Sequence, residues 1–419
     1  MLQLKQPMTL TDKSVEECVN LYCGACVRWI SELRQAEVSS RREYWISTLR
    51  VLAECRQIER SLSELPHIII EMMSPQLTRK FADLIYDYDK TSYLKQSFWN
   101  QESRNSLCIA MFRSVLTPHI YKYDDEIASR SFTHDLVVQT LDCVPELRKL
   151  HLPLTNAKHD PAPLAGVIHH LTHLQIFTYN DHCTDEVIEQ LGLHCTHLKK
   201  VSVCGSSRVT NASVQHLLQL QKLEFLNLSG TLIDKEHYVL LLSELPQIKN
   251  MVLREDDILD HVAENNVHKI SHVSGYVQDI SILAQRFRNI TNLDIYKIPE
   301  DLSGLAALTT LRTLRLTRGH YARNNLRAVL TGIGPRLIDL NLILFKDVNF
   351  QDIVTLCPSL ASLSMFKCTL LPLDPDTQLD PQLPHFRNLT SLRLICIYDR
   401  GRSCSYIQHY VSLKTIRLF

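Results

Sequence analysis

The chain has 419 residues, 45% of them apolar, and its 45 basic residues are balanced by 45 acidic ones. That apolar share excludes a disordered chain, and the balanced charge leaves no global field to draw it to DNA, RNA or an anionic membrane. The opening MLQLKQPMTLTDK lacks a signal-type apolar run, and nothing approaches the roughly 18 apolar residues of a membrane span. The 13 cysteines are scattered without framework spacing. A reduced, cytoplasmic or nuclear protein is the expectation.

Residues 1–118 are predicted to form a small α-helical domain of four or five helices. Ser14 to Leu33 carries Val15, Val19, Leu21, Tyr22, Ala25, Val27 and Ile30 near a helical period. Tyr44 to Leu62, Leu65 to Tyr88 and Ser106 to Val115 follow the same rule. Pro66, Pro75 and Pro118 are expected to punctuate these helices, because proline is disfavoured inside them. Two short patterns stand out. Thr9-Leu10 is followed by Ser14 and Cys18, and Leu65-Pro66 is followed by Ile69 and Met73.

Residues 119–419 repeat. Leu198, Val201 and Val203 recur as Leu223, Leu226 and Leu228, each set spaced L-x-x-L-x-L after a helix-period segment that a Thr-Asp or Thr-Asn pair opens. Alternation sends the last two apolar residues of each set to one face of a short strand, and only a stack of such units can bury them. Anchors fall at Leu147, Leu174, Leu198, Leu223, Ile248, Val267, Ile290, Leu311, Leu337, Leu360, Leu389 and Leu413. Their spacing averages about 24 residues, inside the leucine-rich range, and gives about 12 units. A degenerate strand at Ile120 to Asp125 opens the series, and His134 to Leu141 is predicted helical. Val267 is the irregular member, since it puts His272 at a core position. Prolines mark loops at Thr155 to Pro163 and Leu371 to Pro384. The predicted fold class is an α/β leucine-rich-repeat solenoid (horseshoe) with an N-terminal α-helical domain.

Read with these repeats, the two N-terminal patterns acquire a meaning. Thr9-Leu10, Ser14 and Cys18 resemble a BC box, and Leu65-Pro66 with Ile69 and Met73 resembles a cullin-2 box. A BC box, then a cullin box, then repeats whose Cys195 and Cys204 resemble the cysteine-containing subclass: this order is similar to the Zyg-type substrate receptors of cullin-2 ubiquitin ligases. The resemblance implies that Leu10, Ser14 and Cys18 face elongin C of the elongin B/C pair, while Leu65, Pro66 and Ile69 face the cullin. It also implies an armadillo-like helical domain beyond the repeats, which this sequence lacks. Two features depart from the family: the gap between the boxes is long, and Ser14 stands where cysteine is more usual. An F-box, which would imply an Skp1-type adaptor, is the rival reading, but no Val-Cys-x-x-Trp-like segment follows Leu65-Pro66.

No catalytic chemistry is expected. Cys23-Gly-Ala-Cys26 is a lone C-x-x-C without the second pair a structural zinc site needs. His169 and His173 are four apart, but no glutamate follows His169 as in a zincin. Phosphate-binding glycine motifs are absent, so neither metal nor cofactor is expected. What remains is a surface. Residues between the core leucines point to the concave strand face, among them Phe225, Asn227, Arg254, Asp294, Tyr296, Arg315, Asp339, Phe366, Arg393 and Arg417; arginines among aromatics match the make-up of protein-binding hot spots. The expected function is a non-catalytic interaction module, a ligase substrate receptor holding a substrate protein. A plain leucine-rich scaffold or inhibitor, its helices only capping the solenoid, is the alternative. Leu413, Ile416 and Leu418 end the sequence on a strand pattern with no cap, so a covering partner, a folded-over loop or a longer chain is expected there.

Overall fold

The computed structural model describes residues 10–91, 101–123, 131–152, 162–253, 259, 261–262, 264–277, 279–371, 386, 388–395, 398–399 and 416–418. At 10–12, 91, 101–103, 131, 264–265, 398–399 and 416–418 only the backbone is described. Two compact units result, Met1–Leu223 with Gly230–Asp234, and Glu224–Ser229 with Lys235–Phe419.

The first unit begins with four helices, α1 (Leu10–Ser39), α2 (Arg41–Ser63), α3 (His67–Thr91) and α4 (Gln101–Arg113). Each buries one stripe. On α1 it is Val15, Val19, Cys26, Trp29, Ile30 and Leu33, and on α3 it is Ile70, Met73, Leu77, Phe81, Ile85 and Tyr88. Helix α1 packs on α2 and α3, and α4 closes against the same two. The Trp29 ring meets Phe81 edge-on at 6.3 Å, and its indole N–H donates to Glu54 Oε2 at 2.8 Å, so the large ring is buried without leaving its donor unpaired. Ser40 starts α2 by accepting from the Glu43 N–H at 3.2 Å. Pro75, expected to break a helix, lies inside α3 instead. Around it the hydroxyls of Ser74 and Thr78 donate to the carbonyls of Ile70 and Ser74 at 2.6 Å each. No described helix is long and apolar enough to cross a membrane.

Repeats follow in the same unit: α5 (Ser131–Val138), β1 (Lys149–Leu152), α6 (Ala162–Val167), β2 (Ile176–Tyr179), α7 (Asp185–His194), β3 (Lys200–Ser202) and α8 (Val214–Leu217). Strands β1, β2 and β3 pair in parallel, with Leu150 opposite Phe177 and Phe177 opposite Val201. The Thr-Asp and Thr-Asn pairs prove to be caps. Thr184 accepts from the Val187 N–H, and Thr210 accepts from the Ala212 N–H. Asp185 also binds one repeat onward, accepting from the Thr210 N–H at 2.8 Å and the Thr210 hydroxyl at 2.7 Å. At the degenerate opening, Ile120 and Tyr123 are buried and Lys122 makes an isolated parallel bridge to Lys149.

The second unit holds β4 (Phe225–Asn227), α9 (Lys235–Glu244), β5 (Asn250–Leu253), α10 (Glu264–Val267), β6 (His272–Tyr276), α11 (Ile280–Arg286), β7 (Asn292–Lys297), β8 (Thr313–Thr317), α12 (Leu326–Ile333), β9 (Asp339–Ile343), α13 (Phe350–Leu356), β10 (Ser362–Phe366), β11 (Thr369–Leu370), β12 (Ser391–Ile395), β13 (Tyr398–Asp399) and β14 (Ile416–Leu418). One parallel sheet runs β5-β6-β7-β8-β9-β10-β12-β14. Alternate strand residues are buried: Leu293 and Ile295, Leu314 and Leu316, Leu340 and Leu342, Leu363 and Met365. This is a leucine-rich-repeat fold.

One register needs correction. The irregular repeat is anchored by Ile270, not Val267, so Val273 and Gly275 face the core and His272 is exposed on the strand face. Ile248, Ile270 and Ile290 then stand roughly 20 residues apart, a regular repeat. The pattern was masked because glycine stands in the leucine position. Gly275 has φ +125°, and a Cβ there would lie 2.0 Å from the Leu253 carbonyl oxygen, so no leucine fits. The β6–β7 register shifts immediately after it. The expected loops at Thr155 to Pro163 and Leu371 to Pro384 fall almost wholly outside the described residues, as does Leu413.

Leu226 is fully buried while Phe225 beside it is half exposed. Leu226→Ala is therefore expected to cost about 2–5 kcal/mol through lost burial and cavity formation. Phe225→Ala should cost clearly less in the same denaturant titration, and a reversed order would show the strand turned over.

Candidate functional site

The registers of the second unit build a continuous outward face. One row runs Ser274, Asp294, Arg315, Asn341, Ser364 and Arg393, each paired with the next across the sheet. Beside it lies the row His272, Asn292, Thr313, Asp339, Ser362 and Ser391. Both rows alternate with the buried aliphatics, so polarity here follows from the two-residue strand period. A hollow of about 300 Å³ opens on this face, lined by Phe225, Asn250, His272, Asp294, Arg315, Asp339 and Asn341 among others.

Asp294 is central to the hollow. Its Oδ2 accepts from Arg315 at 3.4 Å, while its Oδ1 and the Asn341 Oδ1 are buried acceptors without a partner among the described residues. Burial raises the Asp294 pKa above the ordinary carboxylate value, and Arg315 only partly pulls it back. His272 is shifted down, first by burial and then by Lys249, which favours its neutral form. The half-exposed Arg315 guanidinium, which gives Asp294 only one long contact, keeps further N–H donors for hydrogen-bonded contact with a polypeptide. Alongside, Tyr276 and Tyr296 expose nearly half of their surfaces and meet edge-on at 6.2 Å. Asn250 bounds the hollow and clips β4 to β5, its Oδ1 accepting from the Leu226 N–H and its Nδ2 donating to the Leu226 carbonyl.

The predicted face residues divide. Asp294, Arg315, Asp339 and Phe225 line the hollow, Tyr296 belongs to the adjacent tyrosine pair, and Arg393 is exposed farther along the row. Phe366 is half-buried under the Lys367 ammonium. Asn227 is spent on its own turn, accepting from the Ser229 N–H at 3.0 Å. Arg254 lies outside the described residues, and only the backbone of Arg417 is described. Sequence reading missed His272, which it placed in the core, and Asn341 and Tyr276, which period-two counting from the correct anchors would have found.

On the helices, Leu10 opens α1, where its side chain is not described; Ser14 is exposed and Cys18 half-buried. Pro66 is exposed, with Leu65 and Ile69 half-buried. Cys23 and Cys26 are buried on α1, and burial pushes both thiols up, Cys26 further through Cys23, Cys55 and Cys108. His169 lies in a short 3-10 turn that ends at His170, and His173 lies beyond it, so they share no helical face. Among the described residues one group could hold a metal ion, His67, His119 and Glu146, whose ligand atoms lie within 4.8 Å of one another. Their existing bonds, His119 to Glu146 at 3.2 Å and His67 to the Tyr121 hydroxyl, already account for the cluster. Its members are too far apart in sequence to form a motif.

No family model and no curated protein matches the sequence. Among solved structures, the chain is similar to internalin C2 from Listeria monocytogenes at 20% identity, over 54% of this chain and 83% of that one, with a TM-score of 0.27. It is also similar to TLR13 in its complex with ssRNA13, at 16% identity, over 61% of this chain and 44% of that one, with a TM-score of 0.35. It thus spans under half of that TLR13 chain.

The raised pKa of Asp294 makes a testable statement about stability. The folded state holds this proton more tightly than the unfolded chain, so the group's contribution falls as pH rises from the ordinary carboxylate range through the raised value. At pH 7 Asp294→Asn should then melt no lower than the parent, with any advantage shrinking as the pH is lowered toward the ordinary carboxylate range. A clear drop in melting temperature at pH 7 would mean that the Arg315 contact outweighs the burial.

Proposed function

We propose that this protein is a non-catalytic interaction module that holds a protein substrate on the strand face of its second unit. The observation that carries this reading is the registered row of Asp294, Arg315 and Asn341, with the Arg315 guanidinium half exposed at its centre, beside the exposed tyrosine pair. Rigid strands present these groups at fixed spacing, which lowers the ordering cost of binding.

Its finer form is a substrate receptor of a cullin-RING ubiquitin ligase, acting in the cytoplasm or nucleus. What supports it is helix-surface chemistry. Leu10, Ser14, Cys18 and Leu21 are spaced to share one side of α1; Ser14 is exposed, and Leu21 leaves 70% of its surface in solvent. Just past Leu65-Pro66, Ile68 is 66% exposed and Met72, one turn on, is partly exposed. Elongin B/C would take the first surface and cullin-2 the second. The receptor would act by raising the effective concentration of substrate at the ligase.

Affinity purification tests both levels. Wild-type protein should retain elongin C, and Leu10→Ala should weaken that capture by roughly 2 kcal/mol or more without lowering the melting temperature. Tyr296→Ala with Arg315→Ala should leave elongin capture intact and remove other bound proteins. If wild-type protein captures no elongin C, the scaffold or inhibitor reading takes its place; capture of an Skp1-type adaptor instead would reassign the helices to an F-box.

A further inference from the structure

The ends of three strands in the second unit carry a separate feature. Arg318, Leu344 and Lys367 follow β8, β9 and β10, and all three are left-handed, with φ of 64°, 55° and 50°. The N–H of each donates to the carbonyl that closes the next strand, to Ile343 at 2.8 Å, Phe366 at 2.8 Å and Ile395 at 2.9 Å. Repeat geometry therefore stacks these positions side by side. Glycine or asparagine would take this conformation more cheaply, yet two of the three residues are cations.

Around them opens a basin of about 830 Å³, lined by Arg318, Arg323, Lys346 and Lys367 together with His320 and Glu300. His320 is engaged by Asp347 at 3.2 Å. Among the described residues none of the four cations is in an ion pair; Lys367 rests 5.3 Å over the Phe366 ring, leaving Glu300 as the one carboxylate in the lining. In a chain of zero net formal charge, this gathering of like charge is local and only partly offset by Glu300. Converging cations raise the potential of such a hollow, and an anion entering it relieves their repulsion.

We propose that the basin binds the phosphate of a phosphorylated serine or threonine in the partner polypeptide, an inference that rests on reading the neighbouring strand face as a polypeptide-binding surface. A single side-chain carboxylate would neutralise one of the four charges. A phosphate brings about two negative charges and three acceptor oxygens, which suits two guanidinium forks with two ammonium groups. The volume is that of a small-ligand pocket and leaves room for flanking residues.

The test uses the whole chain and three degenerate peptide libraries whose central residue is phosphoserine, glutamate or serine, read by fluorescence anisotropy. The phosphoserine library should bind about tenfold or more tightly than the serine library. Arg323→Glu with Lys346→Glu, both at the surface, should erase that preference without lowering the melting temperature. Tyr296→Ala with Arg315→Ala should weaken all three libraries and keep the preference. Equal binding of phosphoserine and serine libraries, or equal binding of glutamate and phosphoserine, overturns the phosphate assignment while polypeptide binding stands. No binding of any library overturns both readings.

Discussion

No single repeat of this chain can shield its own strand. Leu314 and Leu316 are fully buried because the equivalent pairs on β7 and β9 lie against them, and the same holds for Leu340 and Leu342 one strand on. Each pair is shielded by neighbours it shields in turn, so burial is cooperative along the stack. The connections obey the same constraint. Cys195 donates from its thiol to the Leu171 carbonyl at 3.4 Å, and Cys368 does so to the Leu342 carbonyl at 3.3 Å, each bond joining one repeat to the previous one. Burial keeps the Cys195 thiol high, at about 12, so it acts as a neutral donor and not as a nucleophile.

Fixing the core side of each strand also fixes the other side. Once Leu293 and Ile295 point inward, Asp294 must point outward, and parallel pairing sets it beside Ser274 and Arg315. The strand face is thus a by-product of core packing that substitution can decorate at little cost to the fold. The left-handed exits at Arg318, Leu344 and Lys367 extend this logic beyond the strands, because one repeated backbone turn brings residues far apart in sequence to one rim.

The N-terminal helices are stabilised differently. Their core contains a polar network in which Tyr88 donates to Glu37 at 3.1 Å, lies 3.1 Å from the Tyr44 hydroxyl, and Arg104 approaches the same carboxylate at 3.8 Å. A buried network of this kind demands its full set of partners, which favours one arrangement of the helices over others. On the outside, Leu21, Val38, Trp45 and Ile68 leave apolar surface in solvent.

The sequence by itself determined the repeat fold, the four helices and the inward leucines, because periodicity is a local property and burial follows from it. It determined Asp294, Tyr296 and Arg315 as outward residues for the same reason. It misplaced His272 because Gly275 occupies a leucine position, and only the approach of the Leu253 carbonyl explains why glycine is required there. It expected Pro75 to punctuate a helix that in fact runs through it, held by the packing of its buried stripe. The buried acceptors of Asp294 and Asn341, and the meeting of Arg318, Arg323, Lys346 and Lys367, were left to tertiary structure. Those depend on which repeats become neighbours and on how each chain exit turns, and such distances are set only when the stack closes.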